Sequence, residues 1–353
     1  MRVGISLLTL VPGEVGGAET SARGLCRGLA EVGTLDYAAF TPPAAPGAGE
    51  GLPEVPVPEY RLADSVPERA LAMALAAARP RRLRRRFGAL DAVHYPLTIA
   101  LPRLDVPAAV TVHDLQHLDH PELFSRAERL FRARAHEGSA RRADAVIVPS
   151  QFVRRRAIEL LGLPPERVHA IPWGVDHERF RPGEEQREQF LLYPSRPWAH
   201  KNHARLFEAF ALLREERPEL RLVLTGGGHE GRPVPPGVEV RGLVSGEELA
   251  SLYRRTACLV FPSLYEGFGQ PPLEAMASAA PVAASNVPAI AEVCGDAAAL
   301  FDPGRPEEIA AVVAGVLDAP ERFAAAGPVR AQAFTWAETA RRHEAVYRSL
   351  AVA

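Results

Sequence analysis

Short apolar stretches alternate along this chain with longer segments whose apolar residues recur every three or four positions. Residues 3–8 form a near-continuous apolar run that predicts a buried strand. Gly13, Gly16 and Gly17 break it, and Ala18, Ala22, Leu25 and Leu29 then follow at helical spacing up to a stop at Gly33. Further strands are predicted over 36–40, 92–95, 108–112 and 145–148, separated by helical or proline-rich segments. The second half repeats the pattern, with strands over 189–193, 220–225 and 258–261, helices over 203–217 and 246–255, and a glycine turn at Gly226 to Gly228. Strands alternating with helices imply parallel sheets. At the end, Thr335 and Glu338 have capping-box spacing before a helix with Ala340, His343, Val346, Tyr347 and Leu350 on one face. The proline-, glycine- and alanine-rich stretch 42–58 reads as a long, mobile surface loop.

A chain of 353 residues, 47% hydrophobic, suits two α/β domains of about 150 to 180 residues rather than one core. The expected division is 1–172, 173–335 and a terminal helix over 336–353, each of the first two parts Rossmann-like. The net charge of −2 argues against a nucleic-acid partner. Cys26, Cys258 and Cys294 are odd in number and far apart, so neither a disulfide framework nor a zinc site is expected. The first strand begins at once, without a signal-peptide pattern, and the longest uncharged apolar run, 70–78, is far short of a membrane span. The expected location is therefore the cytoplasm. Arg79, Arg81, Arg82, Arg84, Arg85 and Arg86 directly follow that run; they fit either a solvated helix face or peripheral contact with anionic lipid at the inner face of the membrane. Of 41 basic residues only Lys201 is a lysine, which makes it a candidate for a specific point charge.

The stretch 262–277, PSLYEGFGQPPLEAMA, carries the chemistry. It follows an apolar strand, opens with Gly267 and Gly269, and has Pro271 and Pro272 suited to the first turn of a helix. Such a strand, glycine loop and helix bring backbone N–H groups together at the carboxyl end of a sheet, where open α/β folds bind ligands. Glu274, expected in the first turn of that helix, would repel a phosphate and suits hydroxyl donors such as those of a sugar. Arg196 and Lys201, five residues apart in the loop after another strand, can place a planar fork and a point charge on one diphosphate. His113, with Asp114, follows the strand over 108–112, again at a carboxyl end, and His117 and His120 add a cluster that invites a metal reading. The dinucleotide fingerprint G-x-G-x-x-G is absent, so a nicotinamide cofactor loses its main support.

The two glutamates separated by seven residues in EGFGQPPLE, with Gly16-Gly17-Ala18-Glu19, His113-Asp114, the segment IPWGVD over 171–176 and SRPWAHKN over 195–202, resemble in order and separation the retaining glycosyltransferases of fold type B, family 4. Trp173 stands where that family more often has Asn, and Asn202 where Gly is commoner. The resemblance implies two Rossmann-like domains facing across a cleft, the first on the acceptor side and the second on the donor side, with the terminal helix crossing back to the first. It implies catalytic roles for His113, Arg196, Lys201 and Glu266, and donor binding by Gly16, Gly17, Gly267, Phe268, Gly269 and Glu274. It implies no metal and no cofactor beyond the substrate, a nucleoside-diphosphate sugar, with GDP-mannose first and a UDP-sugar second. The acceptor would be a glycan, a lipid-linked sugar or a small molecule. Two other classes stand beside it: a nucleotide-sugar epimerase on the same frame, and a non-catalytic nucleotide-sugar-binding protein.

Overall fold

The structure is a computed structural model and describes residues 1–13, 16–58 and 80–351. The chain forms two units, Met1–Gly174 together with Trp336–Ala353, and Val175–Thr335.

The sheet of the first unit is built from β1 (Arg2–Ser6), β2 (Asp36–Thr41), β3 (Glu54–Pro56), β4 (Ala92–Tyr95), β5 (Ala108–Thr111), β6 (Ala145–Val148) and β7 (Val168–Ala170). Their spatial order is β3-β2-β1-β4-β5-β6-β7, and every pairing is parallel. Helices cover a parallel sheet on both faces, which explains the near-continuous burial of β1, β4 and β6. The order reverses between β1 and β4, so the loops after these strands part to opposite faces and leave a crevice at their carboxyl ends.

The stretch 42–58 is not the loose loop its composition suggests. Ala45, Ala48, Leu52 and Val57 are buried, and β3 pairs with β2. The proline and glycine content shapes tight turns here, while the alternating small apolar residues fill the sheet's edge. Of the basic run, Arg79 and the side chains of Arg81 and Arg82 lie outside the described residues. Arg84 donates to Arg103 O and pairs with Asp105 at 2.7 Å, whereas Arg85 and Arg86 are exposed. Among the described residues no helix is long and apolar enough to cross a membrane.

The terminal helix Trp336–Leu350 belongs to the first unit and packs on the helix Gly17–Val32. Gly24 and Gly28, one turn apart, make that approach possible: a Cβ on Gly24 would fall 2.2 Å from the Trp336 ring, and one on Gly28 would fall 2.4 Å from the Trp336 carbonyl oxygen. The buried face carries Ala340, His343, Val346, Tyr347 and Leu350, the positions expected from spacing. Glu344 is buried on the same helix and accepts hydrogen bonds from the Thr34 backbone N–H (2.7 Å), the Thr34 hydroxyl, the Tyr37 hydroxyl (2.7 Å) and Arg348 (2.8 Å). Burial pushes its carboxyl group up, but these four donors outweigh it and hold the pKa at about 2.

The second unit contains β8 (Glu188–Pro194), β9 (Arg221–Thr225), β10 (Val238–Val240), β11 (Thr256–Phe261), β12 (Val282–Ser285) and β13 (Ala299–Phe301). The order is β10-β9-β8-β11-β12-β13, again wholly parallel, and it reverses between β8 and β11.

Glu344→Gln removes the charge from this cluster, and the free energy of unfolding at pH 7 is expected to fall by about 2 kcal/mol. Because the native pKa lies below the unfolded value, the carboxylate's contribution is complete above the unfolded pKa and is lost as pH falls toward about 2. The gap between wild type and variant, read by thermal unfolding, should therefore close over that window. A gap that is constant with pH would contradict the assignment.

Candidate active site

In the second unit, the loops after β8 and β11 emerge side by side at the point where strand order reverses, and they carry six of the candidate site residues, Arg196, Lys201, Glu266, Gly267, Phe268 and Gly269, with Glu274 on the helix that follows. After β8 the chain runs through Ser195 and Arg196 into a single 3-10 turn, Ala199–Lys201, before Asn202 and the helix His203–Glu216. Lys201 Nζ lies 2.5 Å from Glu266 Oε1, and the two side chains are only 13% and 14% exposed. The ammonium also sits 5.3 Å from the centre of the Phe261 ring. The unique lysine is thus built into a largely enclosed ion pair, of a kind in which removal of one partner costs roughly 3–5 kcal/mol.

Hydrogen bonds to backbone carbonyls fasten the β8 loop to the β11 loop and to its own strand. Leu264 N–H donates to His200 O at 2.8 Å, and Tyr193 hydroxyl donates to Lys201 O at 2.6 Å. Asn202 has a left-handed backbone (φ 60, ψ 37), and its side chain donates to Pro262 O at 3.0 Å and Pro303 O at 2.8 Å. Asn and Gly are the residues that tolerate this conformation, and Asn additionally bolts the turn to the β11 loop. This strap, the Tyr193 anchor and the His229 ring that donates to Ser195 O at 2.7 Å are supporting residues that sequence reasoning missed. The Lys-Asn pair in place of Lys-Gly was their one visible trace. The Arg196 guanidinium lies 5.9 Å from the ring of Trp198, which is half-exposed.

After β11, Gly269 has φ 126, and a Cβ there would fall 2.8 Å from Ile290 Cδ1, so only glycine fits. The helix that follows spans Gln270–Ala277. It begins one residue before the proline pair, which places Glu274 in the second turn and not in the first as expected from sequence. Pro271 and Pro272 carry no N–H, so the donors near this helix start come from Gln270 and from the loop Gly267, Phe268 and Gly269. The Phe268 ring is buried, 6.1 Å from the ring of Phe334, so what Phe268 can offer a ligand is its backbone.

Glu274 is buried, and Tyr253 hydroxyl donates to it at 3.0 Å. Burial drives its pKa up to about 7, against the hydrogen bonds from Tyr253 and Gln270 and the charge of Arg179, which pull it down. A carboxylate in this state has unused acceptor capacity and stands to gain from hydroxyl donors.

The remaining candidates lie in the first unit. Gly16 caps the helix Gly17–Val32 with φ 54, after β1. His113 follows β5, and its Nε2 donates to Pro96 O at 2.8 Å in the loop after β4. Its Nδ1 is buried and meets no hydrogen-bond partner among the described residues. Burial lowers its pKa, keeping the ring neutral, with Asp114 and the Pro96 carbonyl opposing. The Trp173 ring stands 5.5 Å from the His113 ring at 70°. His117 lies 3.4 Å from Glu137, but among the described residues no group of three or more His, Cys, Asp or Glu side chains is placed to hold a metal ion.

Residues 15–179 match the family described as Glycosyltransferase Family 4, and residues 175–328 match the family described as Glycosyl transferases group 1. The chain belongs to the family 4 glycosyltransferases. It is 37% identical over 199 residues to an MMP alpha-(1->4)-mannosyltransferase of Mycolicibacterium hassiacum, an alignment covering 52% of this chain and 48% of that protein. The chain therefore matches about half the length of that relative. It is 29% identical over 276 residues to the O-antigen chain mannosyltransferase B of Escherichia coli, covering 70% of this chain and 71% of the other. In fold it is similar to Anabaena HepE, solved with UDP and glucose, at a TM-score of 0.73 and 17% identity over 99% of this chain and all of the other. That likeness is to the GT-B fold.

Glu274→Gln keeps an oxygen for Tyr253 and removes the titration. The wild-type carboxyl has a native pKa above its unfolded value, so the native state binds its proton more tightly, and stability falls as pH rises from about 4 through about 7. The variant is expected to be more stable than wild type at pH 8, by up to about 3 kcal/mol, with the advantage vanishing near pH 4. Denaturant titrations at the two pH values test this; a variant less stable at pH 8 would contradict the buried, partly unmet carboxyl.

Proposed function

We propose that the protein transfers a hexose, mannose first, from a nucleoside-diphosphate sugar to a hydroxyl acceptor with retention of configuration at the transferred carbon. The observation that carries this reading is the Lys201–Glu266 pair, at 2.5 Å, in the β8/β11 crevice with Arg196 on the same loop. A site made to hold a dianion needs positive charge kept in place before the ligand arrives, and an ammonium pinned by a nearby carboxylate meets that need. The relatives named as mannosyltransferases support mannose as the sugar. The second unit takes the donor. The first takes the acceptor, and its Gly16–Gly17 turn allows a diphosphate or acceptor close to the backbone.

In this reading Lys201 Nζ turns from Glu266 to the diphosphate as the donor enters, and Arg196 adds a planar fork. Glu266, released, accepts hydrogen bonds from sugar hydroxyls beside the amides of Gly267, Phe268 and Gly269. Glu274 accepts from the ribose hydroxyls, which favour its charged form, so donor affinity rises with pH through about 7. The bond between the sugar's anomeric carbon and the diphosphate oxygen breaks, and Lys201 and Arg196 stabilise the charge that develops on that oxygen. The acceptor hydroxyl attacks on the face the diphosphate leaves, and its proton passes to the departing phosphate. These arginine, lysine and amide donors supply the positive charge a divalent cation would otherwise bring.

A thermal-shift panel of GDP, UDP, ADP and dTDP with their sugars identifies the donor, since a ligand at 100 times its Kd adds about 2.7 kcal/mol. With that donor, Lys201→Ala is expected to lose at least ~100-fold in kcat, with a smaller loss in affinity, because the ammonium matters most as charge develops. Lys201→Arg should not restore the rate, since a planar fork is a poor substitute for a point charge. Wild-type turnover should survive EDTA. Full activity in Lys201→Ala, or turnover that EDTA abolishes and magnesium restores, would overturn this account.

A further inference from the structure

The glycine turn Gly226 to Gly228, after β9, has no step in the proposed reaction, yet it closes directly on the loop that carries Arg196. Gly226 has φ 107, and a Cβ there would fall 3.0 Å from the carbonyl carbon of Ser195 and 3.1 Å from its oxygen, so a side chain would hold the two loops apart. Ser195 N–H donates to Thr225 O at 2.9 Å, which carries the β8–β9 pairing one residue past the end of β8. This close approach puts His229, at the end of the turn, within reach of the Arg196 loop. His229 is buried, and its Nε2 donates to Ser195 O at 2.7 Å; a carbonyl oxygen only accepts, so the proton sits on Nε2.

That bond fixes one of the two peptide planes that flank the Arg196 Cα. The plane before it is held by His229 through Ser195 O. The plane after it is held by Trp198 N–H, which donates to Arg196 O at 2.8 Å, and by the Ser195 hydroxyl, which donates to the same oxygen at 3.2 Å. With both planes fixed, the direction in which Arg196 leaves the backbone is fixed too. The other cation of the site is braced in the same way, since Tyr193 hydroxyl donates to Lys201 O at 2.6 Å. The His203 ring packs against both of these donors, 4.9 Å from the Tyr193 ring centre and 5.1 Å from that of His229. Its Nε2 is buried and meets no hydrogen-bond partner among the described residues, so what His203 offers the two donors is the bulk of its ring.

We propose that His229 is a positioning residue: its Nε2–H pins the Ser195 carbonyl and so sets the direction from which Arg196 reaches the diphosphate. The consequence for the ligand rests on the sugar-transfer reading, but the order of the loop does not.

Binding of GDP, UDP, ADP and dTDP, measured by calorimetry, reads the site without turnover, and amide hydrogen exchange over 195–201 reads the loop without any ligand. His229→Phe keeps a ring and removes the donor, His229→Leu does the same with less bulk, and His229→Gln keeps a donor near the place of Nε2. The two apolar variants are each expected to speed exchange over 195–201 by at least ~10-fold, with 256–261 in β11 unchanged. They should weaken by about tenfold whichever nucleotide wild type binds, and His229→Gln should bring both readouts to within about threefold of wild type. Because His229 acts through Arg196, His229→Phe in an Arg196→Ala background should change that affinity by less than about twofold. A histidine that only stabilises the unit would weaken binding by the same factor in either background, and that result would overturn the proposal. So would wild-type exchange and affinity in both apolar variants, His229→Gln behaving like His229→Phe, or exchange that quickens over 256–261 as well in both apolar variants. If wild type binds none of the four nucleotides, the transfer reading fails, and exchange over 195–201 still decides whether His229 fixes the loop.

Discussion

The second unit is organised around one constraint, the parallel pairing of β8 with β11 at the point where the strand order reverses. It brings the end of β8 beside the end of β11, although Lys201 and Glu266 are 65 residues apart in the chain. Everything chemically notable in the unit follows from that adjacency. The lysine finds a carboxylate at 2.5 Å, the Asn202 strap reaches the Pro262 carbonyl, and the Gly269 loop sits where its neighbours' amides can serve the same ligand. An ammonium this enclosed is held in place without a ligand, and a carboxylate partner costs less to displace by a dianion than an unpaired buried charge would cost to keep.

A parallel logic operates in the first unit with hydrogen bonds in place of an ion pair. Glu344 gathers donors from Thr34, Tyr37 and Arg348, which ties the terminal helix to the segment around β2. The glycines at 24 and 28 let Trp336 approach a helix that would otherwise hold it off. The terminal helix is thus as much part of this unit as any segment preceding Gly174.

The fold was legible wherever a strand or helix was long enough to display its period. The terminal helix showed its buried face in the spacing of Ala340, His343, Tyr347 and Leu350, and the runs ending at Val148 and Phe261 were long enough to read as buried strands. β3, β7, β10 and β13 have three residues each, too few for a pattern to repeat, and β3 lies among prolines and glycines that read as loop. At the candidate site, the residue types and their order were visible, because charge and glycine usage are properties of single positions. The contacts were not. Tyr253 gave no sign of bonding Glu274 until the helix Gly246–Arg255 was placed beside Gln270–Ala277, and the start of the latter helix hinges on one glycine conformation at Gly269. Trp173 was visible only as a departure from a resembling segment; the imidazole it leans on is 60 positions away.

The most direct test of the central claim is a crystal structure of the protein with its nucleoside diphosphate. The account predicts phosphate oxygens within hydrogen-bonding distance of Lys201 Nζ and the Arg196 guanidinium, a Lys201–Glu266 separation lengthened from 2.5 Å, and ribose hydroxyls on Glu274. A nucleotide bound elsewhere, or one bound in the β8/β11 crevice with the Lys201–Glu266 pair intact and no phosphate on Lys201, would contradict it.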